Sequence, residues 1–108
     1  MTESNVFFCG IGGSGMLPLA SIVRATGAKV AGSDRSLDAG RVANKFAYLR
    51  SLGTGLFPQD GSGLQHGMTL VTSAAVEETV PDVVRARELG LQHLTRPQFL
   101  AQLLNEAQ

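Results

Sequence analysis

The residues best suited to chemistry lie near the amino terminus, where clustered glycines follow a short apolar run at residues 6–9. The cluster reads Gly10-Ile11-Gly12-Gly13-Ser14-Gly15-Met16. Glycines permit a tight turn and a close approach to phosphate, while the free N–H groups of a following helix face the anion. Gly10, Gly12 and Gly15 match the G-x-G-x-x-G spacing. The segment predicts a pyrophosphate site, although a glycine-rich turn without a ligand has the same letters.

Two further groups of candidate binding residues follow later apolar runs. In the first group, Ser33, Asp34 and Arg35, a carboxylate could accept hydrogen bonds from ribose hydroxyls. Asp34 could instead cap a turn, and Arg35 could hold the 2′-phosphate of NADP or lie free in a loop. The second group is Thr72-Ser73-Ala74-Ala75, whose hydroxyls and small side chains leave room for a ligand. Ser73 could equally be an ordinary helix-entry residue.

Several other chemistries find no support in the sequence. His66 and His93 are isolated from Cys and carboxylate residues at metal-ligand spacing, so we expect no metal site. Cys9 is the single cysteine and has no partner base nearby, which favours a buried strand residue over a nucleophile. An internal disulfide is therefore impossible, and a reducing compartment fits. No catalytic residue is predicted.

Composition and charge restrict the class of protein. The 108 residues, 44% hydrophobic and 17% charged, predict one soluble globular domain. Nine basic and nine acidic residues cancel, so we expect no nucleic-acid partner. The polar, acidic start lacks the features of a signal peptide, and no segment reaches transmembrane length. We therefore expect a cytoplasmic protein without a membrane partner.

The candidate residues need a scaffold, and apolar runs alternate with helical periodicity along the whole chain. Strands are predicted at residues 6–9, 29–32, 54–57, 68–72 and 91–94. Helices are predicted over residues 14–26 and 38–52, from 79 to about 89, and from 95 onward. Alternation of this kind predicts an α/β fold: a Rossmann-like open parallel sheet of about five strands with helices on both faces. Ligands bind such sheets at the carboxyl ends of the strands.

Local signals set the helix ends and inner faces. Gly27, Gly53 and Gly90 should end the first three helices, and Thr79-x-x-Asp82 and Thr95-x-x-Gln98 resemble capping boxes. Residues 33–36 are predicted as a loop and residues 60–63 as a surface turn. The apolar residues at helical spacing are Met16, Leu19, Ala20 and Val23 in the first helix, Val42, Phe46 and Leu49 in the second, and Phe99, Leu100, Leu103 and Leu104 in the last.

The three candidate groups, taken in order, resemble the amino-terminal domain of the Mur ligases. The motifs are Gly10 to Met16, then Gly32-Ser33-Asp34, then Val71-Thr72-Ser73-Ala74-Ala75-Val76. Residues 81–90 and 95–104 are also similar to that family, so the resemblance runs from about Asn5 to Leu104. The pattern is most similar to the members that join L-alanine or a recycled tripeptide to UDP-N-acetylmuramate.

This resemblance implies an ATP-dependent amide ligase of peptidoglycan precursor synthesis or recycling. In that family the amino-terminal domain binds UDP, the central domain binds ATP and magnesium, and the carboxyl-terminal domain helps bind the amino acid. By resemblance, the diphosphate would meet residues 12–15, the uridine ribose would meet Asp34, and Ser73 and Ala74 would line the path to the N-acetylmuramate. The full set expected to bind UDP-sugar is Gly10, Ile11, Gly12, Gly13, Ser14, Gly15, Met16, Ser33, Asp34, Arg35, Thr72, Ser73, Ala74 and Ala75.

Two departures from the family pattern limit what the chain should do alone. Neither Lys29 nor Lys45 lies in a Gly-Thr-x-Gly-Lys-Thr/Ser context, so ATP and magnesium are expected only for a longer enzyme. Residues 1–108 would then be a UDP-sugar-binding domain that needs no cofactor itself and whose partners are UDP-N-acetylmuramate and the parent's remaining domains. Residues 57–68 match the family loosely. The alternatives are an NAD(P)-binding oxidoreductase domain and a regulatory domain without ligand.

Overall fold

Parallel strands form a single sheet whose first strand lies at the centre. In the computed structural model, which describes residues 5–40, 43–74 and 76–106, the strands are β1 (Asn5–Cys9), β2 (Lys29–Ser33), β3 (Gly55–Phe57), β4 (Thr69–Thr72) and β5 (Gln92–Thr95). Their spatial order is β3-β2-β1-β4-β5, with every pair parallel. The chain order reverses between β1 and β4, which makes the carboxyl ends of these strands a topological switch point. The predicted Rossmann-like α/β sheet is confirmed.

Helices cover both faces of this sheet. They are α1 (Met16–Ala25), α2 (Arg35–Asp38), α3 (Ala43–Ser51), α4 (Pro81–Leu89) and α5 (Arg96–Glu106). One buried cluster packs alternate strand residues against α1, α3 and α5, and a second packs the opposite face against α4. Within the described ranges, no helix combines the length and apolar character that crossing a membrane requires.

The central strand shows why its sequence is apolar without alternation. Phe7 and Phe8 are both fully buried, and their side chains point to opposite faces of the sheet. Phe8 packs edge-on against Phe99 of α5, with ring centroids 5.8 Å apart. On the other face, Phe7 packs against Phe57, with ring centroids 6.3 Å apart. The first strand is therefore buried from both sides.

Most predicted inner faces are buried as expected. The α1 residues Met16, Leu19, Ala20 and Val23 are buried, as are Phe46 and Leu49 of α3 and Phe99 of α5. Leu100 and Leu103 are half-buried, whereas Leu104 is 66% exposed despite its helical spacing. Val42 lies outside the described residues.

The predicted helix over residues 38–52 is wrong at its start, as is the predicted loop over 33–36. Ser33 is the last residue of β2, and a separate short helix, α2, begins at Arg35. The Asp34 carboxylate accepts a hydrogen bond from the Ser36 N–H at 2.8 Å, which caps this helix. Gly40 follows α2 with a φ of +73°, a left-handed conformation that is incompatible with continuing the helix.

One predicted capping box is confirmed and the other is wrong. Thr95 and Gln98 exchange side-chain to backbone hydrogen bonds at the start of α5, at 2.9 and 3.4 Å. At α4 the N-cap is Val80, and no side chain caps the helix. Asp82 is fully buried there and accepts hydrogen bonds from the Ser33 hydroxyl and the Gly61 N–H instead.

The predicted surface turn at residues 60–63 is a turn, but it is only partly on the surface. Gly61 and Gly63 are buried, while Asp60 and Ser62 are exposed. A Cβ atom at Gly63 would lie 2.6 Å from the Phe7 ring. Glycine at this position therefore lets the turn pack directly over the central strand.

Candidate functional site

The residues that follow four strands line one cavity at the carboxyl edge of the sheet. This main cavity has a volume of about 510 Å³. Its lining comprises Cys9, Gly10, Gly12, Gly13, Ser14, Gly15, Met16, Asp34, Ser36, Lys45, Phe46, Ser73 and Arg96. A second cavity of about 330 Å³ shares Cys9, Gly10, Asp34 and Ser73 with it and adds Arg35, Gln59, Val76, Glu77 and Val80. The glycine turn, Asp34 and Ser73 thus come together at the switch point.

The first residues of the glycine turn anchor it to the neighbouring strand. The N–H groups of Gly10 and Ile11 both donate to the carbonyl oxygen of Ser33, at 2.8 and 3.0 Å. Gly10 adopts a φ of +77°, which favours glycine. The Ile11 side chain is fully buried in the core. These two residues shape the turn, and their amides are already engaged.

Gly12 and Gly13 also use their amides within the protein. The Gly12 N–H donates to Asp34 Oδ2 at 2.8 Å, and the Gly13 N–H donates to the Gly10 carbonyl oxygen at 3.0 Å. A Cβ atom at Gly12 would lie 2.9 Å from Asp34 Oδ2 and 3.0 Å from the Phe46 ring. A side chain at Gly12 would therefore have to displace Asp34 and Phe46, a packing constraint that the phosphate interpretation alone does not anticipate.

Two backbone donors are left at the start of α1. The N–H groups of Ser14 and Gly15 have no acceptor among the residues that the structure describes, and both residues line the main cavity. The next two amides, of Met16 and Leu17, donate to the Gly13 carbonyl oxygen. Because the positive end of the helix dipole lies here, the Ser14 and Gly15 amides are the donors of the turn that an anion could use.

Asp34 is held by two backbone amides, one on each carboxylate oxygen. Oδ2 accepts from Gly12, and Oδ1 accepts from Ser36, both at 2.8 Å. The turn-capping alternative for Asp34 is therefore realised. Each oxygen has a second lone pair, so a ribose contact stays a prediction. Arg35 is exposed and donates from Nε to Gln59 Oε1 at 3.1 Å, beside the second cavity.

The side chains of Ser33 and Thr72, both predicted to bind a ligand, lie away from the main cavity. Both are fully buried on the α4 side of the sheet. The Ser33 hydroxyl donates to Asp82, and Thr72 Oγ1 is hydrogen-bonded to His93 Nε2 at 2.8 Å. Burial, and then the nearby Arg87 charge, lower the pKa of His93. Strand alternation explains this placement, since each side chain points to the face opposite its neighbour's.

The end of β4 is exposed beyond Thr72. Ser73 and Ala74 are both exposed, and Ser73 lines both cavities, whereas Ala74 lines neither. Ala75 lies outside the described residues. Of the third predicted group, the structure therefore brings Ser73 to the cavity.

Two buried acidic groups, Cys9 and Asp82, have raised pKa values. Burial, and then the nearby Asp82 charge, raise the pKa of Cys9 to about 12. Burial also raises the pKa of Asp82, although hydrogen bonds from Ser33 and Gly61 oppose this shift. A neutral thiol agrees with the prediction that Cys9 is a buried strand residue and not a nucleophile.

Sequence reasoning missed two cationic side chains in the main cavity. Lys45 Nζ donates to the Gly12 carbonyl oxygen at 2.6 Å, and Arg96 Nε donates to the Gly15 carbonyl oxygen at 3.0 Å. A signal for Arg96 exists, because it is the first residue of the helix that follows β5 and so belongs to the carboxyl edge. For Lys45 the sequence offers a weaker signal, its position next to Phe46, which is buried and lines the same cavity.

The fold and this site define a Rossmann-like α/β domain whose glycine turn presents two backbone amides, unpaired among the described residues, at the switch point. A model of the Mur ligase family, catalytic domain, matches residues 5–108. The chain therefore belongs to the Mur ligase family.

Curated relatives and solved structures agree with this assignment. The chain is 39% identical over 102 residues to UDP-N-acetylmuramate–L-alanine ligase of Streptomyces coelicolor, covering 91% of this chain and 21% of that protein. It is 33% identical over 104 residues to the Pediococcus pentosaceus ligase of the same name, covering 96% and 23%.

The fold comparison points the same way. The UDP-N-acetylmuramate-alanine ligase structure from Thermotoga maritima matches with a TM-score of 0.83 at 28% identity, covering 96% of this chain and 23% of that one. A murein peptide ligase structure from Psychrobacter arcticus matches with a TM-score of 0.77 at 26% identity, covering 93% and 20%. The chain thus spans between a fifth and a quarter of these relatives.

Proposed function

We infer that this chain is the UDP-sugar-binding domain of an ATP-dependent ligase that joins an amino acid, most simply L-alanine, to UDP-N-acetylmuramate. The observation that carries this proposal is the pair of amides at Ser14 and Gly15. They lie at the start of a helix, at the sheet's switch point, and their hydrogen-bonding capacity is unused by the described residues. A diphosphate is the ligand that this arrangement suits best.

The residues next to these amides suggest where the other groups of the substrate bind. We propose that the uridine ribose lies beside Asp34, whose carboxylate oxygens are fixed by two amides, retain lone pairs and line both cavities. We propose that the rest of the nucleoside lies in the second cavity, beside Arg35. We propose that the N-acetylmuramate lies toward the exposed end of β4, where Ser73 offers a hydroxyl and Ala74 is small.

The residues described do not fit an ATP and magnesium site. Within residues 5–40, 43–74 and 76–106, no group of three His, Cys, Asp or Glu side chains could hold a metal ion. Lys45 is directed to the glycine turn and is not followed by Ser or Thr. We therefore assign this domain the binding of the UDP-sugar, and we assign the ATP-dependent step to other domains of a longer ligase.

Calorimetric titration tests the proposal. The purified chain should bind UDP-N-acetylmuramate more tightly than NADH or NADPH, because its turn presents two amides and its cavity extends toward Ser73. UDP alone should retain most of the affinity. Binding of NADH as tight as that of the UDP-sugar would overturn the assignment and favour an oxidoreductase domain.

A further inference from the structure

The two cations of the main cavity have no carboxylate partner among the side chains that the structure describes. The ion pairs among the described side chains join Arg85 to Glu88 and Arg87 to Glu78, and neither pair includes Lys45 or Arg96. Lys45 and Arg96 bring two positive charges to a cavity whose acidic lining residue is Asp34. The chain as a whole has a formal net charge of zero, so this excess of positive charge is local.

The hydrogen bonds of these cations place them beside the anion-binding amides. Lys45 contacts the carbonyl of Gly12, and Arg96 contacts the carbonyl of Gly15. These carbonyls lie on either side of Ser14 in the chain. An ammonium group has three N–H donors and a guanidinium has five, so both side chains retain donors after these contacts.

A purely structural role accounts for only part of this arrangement. A neutral amide side chain could also donate to a carbonyl oxygen, and it would avoid the cost of partly burying an unpaired charge. Two such charges from separate helices, α3 and α5, converge on one turn. An anionic ligand with more than one charge would neutralise both.

We propose that Lys45 and Arg96 are positioning residues that hold the diphosphate of the UDP-sugar against the Ser14 and Gly15 amides. This inference rests on the proposed function and deepens it. The guanidinium suits bidentate contact with phosphate oxygens, and the ammonium acts as a compact point charge. Affinity should therefore depend on the number of phosphates, with UDP bound more tightly than UMP and UMP more tightly than uridine.

The test compares uridine, UMP and UDP as ligands for the wild-type chain and for Lys45→Met and Arg96→Met. Each variant should bind UDP about ten- to a hundredfold more weakly, while its affinity for uridine changes little. UDP affinity should also fall less steeply with rising salt in both variants. Salt screens the attraction between the cation and the diphosphate, and each variant lacks one of these cations. The matched controls are Lys29→Met, at the opposite end of β2, and Arg50→Met, an exposed residue that does not line the cavity.

A further variant separates charge from structure. Lys45→Gln keeps a hydrogen-bond donor for the Gly12 carbonyl but removes the charge. It should fold normally, as judged by thermal unfolding, and still bind UDP weakly. Wild-type affinity for UDP in a folded Lys45→Gln variant, or equal losses for uridine and UDP in both methionine variants, would overturn the proposal.

Inorganic pyrophosphate distinguishes this inference from the proposed function. If wild-type protein fails to bind UDP, the proposed function is wrong. Pyrophosphate binding that Lys45→Met and Arg96→Met weaken would then still support the two cations as a diphosphate site. Absence of pyrophosphate binding in that case would overturn the cation assignment as well.

Discussion

Two aspartates, Asp34 and Asp82, do comparable work on opposite faces of the sheet. Asp34 joins the glycine turn to the start of α2 through the Gly12 and Ser36 amides. Asp82 joins the end of β2 to the turn at residues 60–63 through Ser33 and Gly61. Each carboxylate accepts one hydrogen bond on each of its two oxygens, and these hydrogen bonds connect segments distant in sequence.

The two aspartates differ in their exposure, and this difference separates the proposed binding region from a supporting one. Asp34 is half-buried and lines both cavities, so its remaining lone pairs are accessible to a ligand. Asp82 is fully buried, and its pKa is raised by burial. A carboxylate near this edge of the sheet is thus a ligand-binding candidate only where its oxygens face a cavity.

Gly12→Val should be the most destabilising change, because it disrupts the contact between the glycine turn and Asp34. The added branched side chain would collide with Asp34 Oδ2 and the Phe46 ring. We expect a loss of unfolding free energy on the order of 4 kcal/mol, from overpacking together with the displaced hydrogen bond. Chemical denaturation measures this loss.

Gly13→Val is the matched control, because Gly13 is exposed and its nearest neighbour is the Gly10 carbonyl oxygen at 3.2 Å from an added Cβ. It should cost much less stability and still weaken UDP binding, since its side chain would stand before the phosphate donors. Equal stability losses in the two variants would show that the contacts of Gly12 with Asp34 and Phe46 do not cause the loss.

Asp82→Ala should be the next most damaging change, with a loss of about 3 kcal/mol, because the buried Ser33 hydroxyl and Gly61 amide lose their acceptor. UDP affinity of the folded fraction should be retained. Asp82→Asn should cost less, since its amide oxygen can still accept one of these hydrogen bonds. A large loss of UDP affinity in folded Asp82→Asn would place Asp82 in the binding region.

The same residue predicts a pH dependence of stability. Burial raises the pKa of Asp82 in the folded state above its ordinary value of 3.8, so folding favours the protonated form. Its contribution is fully present below pH 3.8 and declines as the pH rises through the folded-state pKa. The stability of wild type relative to Asp82→Asn should therefore fall with rising pH over that window. A constant difference across the window would contradict a raised pKa.

The sequence was sufficient for the fold because the central strand β1 is apolar on both sides and three helices, α1, α3 and α4, are followed by Gly27, Gly53 and Gly90. It was also sufficient to locate the glycine turn and Ser73 at one edge. It could not show which amides of the turn are free, since that depends on Asp34 and Gly10 folding back onto them. Side-chain direction at Ser33 and Thr72 likewise depends on strand register, which residue types alone do not fix.

Asp34→Asn tests the accessible aspartate. Only one amide oxygen remains to accept, so either the Gly12 or the Ser36 contact is lost, at a cost of roughly 1–2 kcal/mol in stability. UDP affinity should fall about tenfold, because the turn loses a charge-assisted contact that fixes its position. Calorimetry with UDP measures this effect. Unchanged affinity in Asp34→Asn would assign Asp34 a purely structural role and remove the contrast with Asp82.

Thr72→Val should have the smallest effect on stability and binding. It tests whether the alternation of side chains along β4 keeps the Thr72 hydroxyl out of the site. The change removes one hydrogen bond to His93, which is largely exposed and can use water instead, so stability should fall by about 0.5–1 kcal/mol. Affinity for UDP-N-acetylmuramate should be unchanged, whereas Ser73→Ala, the adjacent residue that lines both cavities, should weaken it severalfold. If Thr72→Val weakened binding as much as Ser73→Ala does, the Thr72 side chain would have to reach the ligand, and the end of β4 would have to change its register on binding.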